Sequence, residues 1–185
     1  ALKYDPRHAA SNNDLGYRLL VADREIDAAA AMIELAVQQD PNRASYVDSL
    51  GWARYKQGII FDDTDPATGL KREGAVVLLT KALDLLSREN NAESRAGTPI
   101  MVDHLGDSVW AAGDHETAVR HWELAAQDAE NLLQMDAKAM ESEDPDDREN
   151  TLGAGTRKEL EHVLSMARVK AVAARAGEAP PVSKM

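Results

Sequence analysis

The chain has 185 residues, with 32 acidic against 21 basic side chains and a formal net charge of −11 at pH 7. Lacking a Lys/Arg stripe to displace counterions it is a poor match for a nucleic acid, and lacking cysteine it has no disulfide, thiolate metal site or thiol nucleophile. Apolar side chains make up 44% but aromatics only 4%; alanine-rich composition with few β-branched runs predicts an all-α chain, and the longest apolar runs fall well short of the ~18 residues a membrane span needs.

Taken in chain order, residues 1–6, ALKYDP, have the spacing of Ala36, Asp40 and Pro41. They read as the tail of an upstream unit, so the chain is expected to be a piece of a longer protein. A helix over NDLGYRLLVAD (13–23) is followed by a second, alanine-rich one over DAAAAMIELAVQQDP (27–41). The same order recurs in DSLGWARYKQG (48–58) with EGAVVLLTKALDLL (73–86), and in DHLGDSVWAAG (103–113) with HETAVRHWELAAQD (115–128). Between the second pair's helices, IIFDDTDPATGLKRE (59–73) predicts a solvated insertion, and SRENNAESRAGT (87–98) adds further residues after them. AQDAENLLQMDAKAM (126–140) continues the last of these helices until the acidic stretch 141–155 breaks it. Thr156, with Glu159 three residues on, has the form of a capping box. It predicts a helix over 156–176 with an apolar stripe of Leu160, Val163, Leu164, Ala167, Ala171 and Ala174. Gly177 and Pro180-Pro181 end it, leaving a tail over 177–185.

A glycine inside a helix costs about 1 kcal/mol relative to alanine, so three Leu-Gly pairs in three predicted helices need a reason. The residues after Gly51 continue the helical pattern, and Gly58 is the better stop. Gly51 is therefore expected to let the paired helix approach closely, through Ala75 and Ala82.

The pairs, Leu15-Gly16, Leu50-Gly51 and Leu105-Gly106, recur after 35 and then 55 residues, against the ~34 of a tetratricopeptide repeat. With Ala29, Ala75 and Ala118, with Ile33, Leu79 and Trp122, with Ala36, Ala82 and Ala125, and with Pro41, they make the chain resemble the tetratricopeptide repeat family. The second and third units lack the closing Asp-Pro. The resemblance implies a helix-turn-helix solenoid over 1–140, with repeats at about 9–42, 43–94 and 98–140, closed by 156–176 as a capping helix that covers the last apolar face. It is similar, more narrowly, to a bacterial subgroup that includes cell-envelope adaptor proteins, which favours the envelope or periplasm over the cytoplasm.

The resemblance also implies a concave trough lined by the first helix of each pair. Its residues here are Asn13, Tyr17, Leu20, Asp48, Trp52, Tyr55, Lys56, Asp103, Asp107 and Trp110. Such a surface suits a protein or peptide with apolar anchors and basic residues, and it departs from the family's carboxylate clamp, for which only Asn13 and Lys56 remain. Trp52, Tyr55 and Trp110 equally suit packing between helices.

Three stretches resemble chemical motifs and depart from them. In HETAVRH, His115 and His121 are six apart, about 240° around a helix, where chelating histidines are four apart. Asp103, His104 and Asp107 have no phosphate loop or second metal-ligand cluster beside them, which favours a packing role. In DDTDPATG (62–69), Pro66 with Ala67 breaks the pattern of a calcium loop. No catalytic residue, metal or cofactor is expected. The reading is a non-enzymatic interaction scaffold; its alternatives are the regulatory or substrate-recruiting region of a larger enzyme and self-association, which the net charge opposes.

Overall fold

The computed structural model describes residues 5–89, 92–142, 144 and 151–181. They form seven helices, α1 (Ala9–Val21), α2 (Ile26–Gln39), α3 (Ala44–Lys56), α4 (Ala75–Ser87), α5 (Ala92–Ala111), α6 (His115–Glu141) and α7 (Ala154–Arg175). Two-residue strands, β1 (Asp63–Thr64) and β2 (Lys71–Arg72), are the exception to an all-helical chain. The chain divides into two compact units, one holding α1 to α4 and one holding α5 to α7. Residues 1–4, most of the acidic stretch after Ser142 and residues 182–185 lie outside the described residues, so the expected upstream tail and most of the expected acidic loop are not described.

In the first unit α1 packs on α2, α3 on α4, and α3 also on α1 and α2. With neighbours on so many sides, α3 is buried without interruption from Tyr46 to Arg54, and no single stripe carries its apolar residues. Its end is set by Gly58, whose φ of +76° places the N–H of Ile59 on the carbonyl of Arg54 at 2.8 Å. A residue with a Cβ adopts that left-handed conformation at a cost.

Each Leu-Gly glycine meets the second helix of its own pair. A methyl group at Gly16 would lie 2.7 Å from Ile33 Cγ1, one at Gly51 2.7 Å from Leu79 Cγ, and one at Gly106 2.6 Å from Trp122 Nε1. The expected close approach is present, with one correction. The side chains seated on the glycines are the bulky residues Ile33, Leu79 and Trp122, whereas Ala75 and Ala82 are buried beside that contact. A large side chain lying across a bare backbone fills the space between two helices at interior density.

Three boundaries differ from the sequence expectation. The insertion at 59–73 is an antiparallel hairpin, with Asp63 paired to Arg72 and Thr64 to Lys71. Its first arm supplies the carbonyls of Ile59 and Ile60 to the N–H groups of Ala75 and Val76 at 2.9 and 3.4 Å, so the insertion caps α4, whose cap residue Gly74 has no side chain to do so. Next, α5 begins at Ala92 and takes Pro99 into its interior, forgoing the hydrogen bond a proline cannot donate. Finally, α7 starts at Ala154, two residues before the expected capping box, with Gly153 at the cap and no side-chain cap bond. Asp136 of α6 explains the earlier start. It accepts hydrogen bonds from the Leu152 N–H at 2.7 Å and from Arg157 Nε at 2.7 Å, fastening the chain on both sides of that cap.

Candidate functional site

The ten residues expected to line a trough divide between the two units. Within the first, Leu20 and Trp52 belong to the core, with Trp52 only 2% exposed, and Asn13 and Asp48 are buried as well. Tyr17 and Tyr55 keep part of their surface. The Trp52 and Tyr55 rings stack, centroids 4.8 Å apart and 14° from parallel. Lys56 holds its ammonium 5.2 Å from the Trp52 ring centroid and pairs with Asp23 at 2.5 Å. This aromatic and cationic group is preorganised: stacking fixes the rings, and the pairing to Asp23, in the turn after α1, fixes the lysine.

Arg54, Glu34, Gln57 and Asp27 extend this order along α2 and α3. The Arg54 guanidinium pairs with Glu34 and donates to Gln57 Oε1 at 2.8 Å, while Gln57 Nε2 donates to Asp27 at 2.8 Å. Buried Asn13 keeps its Oδ1 without a hydrogen-bond partner among the described residues.

In the second unit, Asp103 and Asp107 are 1% and 4% exposed respectively and so offer no open carboxylate to a ligand. Lys170 of α7, fully buried, donates to both oxygens of Asp103 at 2.9 and 2.8 Å and pairs with Asp107 Oδ1 at 2.6 Å. The Trp122 indole donates to that same oxygen at 2.9 Å. Burial pushes the Asp107 carboxyl up to about 6 against the pull of Lys170, with the nearby Asp103 charge adding to the rise. Lys170 of α7 thus takes both of the second-unit carboxylates expected to line the trough. Lys170 escaped the sequence reading although a signal was present. It lies three residues after Ala167 and seven after Val163, in the apolar stripe of its helix, where a lysine needs a buried acid.

Trp110 remains partly open and stacks on His115, with centroids 3.8 Å apart and 15° between planes. Both line an open cleft of about 650 Å³, as do Val119 and Ala174. Its arginines are engaged, Arg120 with Glu116 and Arg175 with Glu123, so the cleft presents no unpaired cation for an anionic ligand among these. His121 is half-buried and its pKa is lowered by desolvation.

The acidic hairpin spends its carboxylates on its own backbone and arginine. Asp62 Oδ1 accepts from the Gly74 N–H at 2.9 Å. Asp65 Oδ1 accepts from the N–H groups of Ala67 and Thr68 at 2.7 and 3.0 Å. Arg72 donates to both oxygens of Asp63 at 2.9 and 2.7 Å and to Asp65 Oδ2 at 3.1 Å. Both carboxyls are held below their ordinary range, Asp63 chiefly by the Arg72 hydrogen bond and Asp65 chiefly by the Ala67 N–H. No group of metal-ligating side chains is gathered among the described residues, and no described helix is long and apolar enough to cross a membrane.

No protein-family model matches this chain, and no curated protein matches it.

Proposed function

We propose that this chain is a non-enzymatic protein-interaction scaffold of the tetratricopeptide type, and that its α1 and α3 surface takes a protein or peptide segment. The observation carrying this reading is the glycine contact made three times at matching positions, Gly16 with Ile33, Gly51 with Leu79 and Gly106 with Trp122. A helix pair repeated with the same internal packing is the unit from which stacked-helix binding proteins are built.

The partner surface centres on Tyr17, Tyr55 and Lys56, with Trp52 as the buried support of the stack. Its recognition chemistry is an apolar anchor laid against the phenol rings, with basic residues in the partner favoured by the acidic net charge of the chain. Membership of a bacterial cell-envelope group of adaptors belongs to the same proposal and rests on the resemblance of the repeats.

The test is selection of binders from a random peptide display library, followed by titration of the enriched peptides. Peptides rich in aromatic or aliphatic anchors with Lys or Arg are expected, and Tyr17→Ala with Tyr55→Ala should weaken them at least about tenfold, the loss of one or two aromatic anchors. Enriched peptides that bind the double variant as tightly as the parent chain, with both proteins folded, would overturn the reading.

A further inference from the structure

The Lys170 cluster serves no part of the proposed binding surface, and its charges do not balance. Two carboxylates, Asp103 and Asp107, face one ammonium in a place closed to solvent. With both acids ionised, Asp103, Asp107 and Lys170 together carry one net negative charge, and a net charge is costly in an interior.

Geometry shows where a proton would go. Both oxygens of Asp103 accept from Lys170, and Asp107 Oδ1 faces both Lys170 and Trp122 Nε1. Asp107 Oδ2 is buried and has no hydrogen-bond partner among the described residues. The charged and titratable groups acting on the Asp107 carboxyl are Lys170 from α7 and Asp103 and His104 from α5, and Trp122 of α6 donates to its other oxygen.

We propose that the seating of α7 against α5 and α6 is linked to the uptake of one proton, so that mild acid tightens this last helix and alkaline conditions loosen it. Seated, Asp107 titrates at about 6; released into water it returns to the ordinary carboxylate value of about 3.9. The seated state therefore binds more protons throughout that interval, and the seating equilibrium rises as pH falls. Between about pH 8 and about pH 5 the rise is about tenfold.

The experiment is amide hydrogen exchange on the whole chain at these two pH values, corrected for intrinsic exchange chemistry, with the amides of α3 and α4 as the reference in the same sample. Protection of the α7 amides relative to that reference should rise about tenfold on acidification in the wild-type chain and stay level in Asp107→Asn, where one acid faces one base. Asp103→Asn restores the same one-to-one balance and serves if Asp107→Asn does not fold. Equal pH dependence in the wild-type chain and the Asn variant would overturn the proposal.

Discussion

A methyl group on Gly106 would stand 2.6 Å from Trp122 Nε1, and that nitrogen already donates to Asp107 at 2.9 Å. Gly106→Ala gains about 1 kcal/mol of helix propensity but pushes the indole from both its seat and its hydrogen bond. The net outcome is a loss of about 1–3 kcal/mol in urea unfolding. Gly155→Ala is the matching control. It lies in the first turn of α7 with nothing within 4 Å of an added methyl, and stability should rise by about 0.5–1 kcal/mol. The same substitution thus takes opposite signs, and a loss at Gly155 equal to that at Gly106 would refute the packing account.

Lys170→Met tests the buried cluster by removing its only ammonium. Two carboxylates then share a closed site without the ammonium that pairs with both, and the loss should be about 3–5 kcal/mol, the range for an ion pair broken on one side. Exchange protection in α1 to α4 should hardly change, because the cluster lies wholly in the second unit. A variant as stable as the parent chain at pH 7 would show that Lys170 does not neutralise these acids.

Asp136 behaves oppositely to Asp107 with pH. Hydrogen bonding to Arg157 holds its carboxyl below the ordinary value, aided by the Leu152 N–H. Its contribution is therefore present above the unfolded carboxylate value of about 4 and is lost as pH falls through the lower folded value. Asp136→Ala removes the acceptor for both donors and should cost about 1–3 kcal/mol at pH 7. The difference from the parent chain should shrink on acidification below about pH 4, and thermal melts across that range measure it. A constant difference down to about pH 2 would contradict the assignment.

Glu25 precedes α2 with φ at +47°, in the left-handed region, and makes no side-chain cap bond. Its carboxylate lies 3.9 Å from Arg24 in an exposed pair, which is worth little. Glu25→Gly should therefore stabilise the first unit by about 1 kcal/mol through relief of backbone strain. A lower melting temperature for this variant would mean that the turn depends on the glutamate side chain.

What could be read along the chain was whatever depends on near neighbours. Helical periodicity and alanine content made the all-helical class legible, and the recurring Leu-Gly pairs marked where helices approach closely, because a missing side chain inside a helix is a local fact with a packing meaning. Gly58 was legible as a stop for the same reason. The tertiary structure decided which faces close. Trp52 and Asp103 sit at positions that a single helix pair would leave open, and they are buried because α3 has neighbours on several sides and α7 brings Lys170 across 67 positions of chain to Asp103. The hairpin at 59–73 was illegible because strands of two residues carry no alternation to recognise. Periodicity records what one helix needs from its own residues; the partner of a buried charge depends on which distant helix comes to rest beside it, and only the folded chain specifies that.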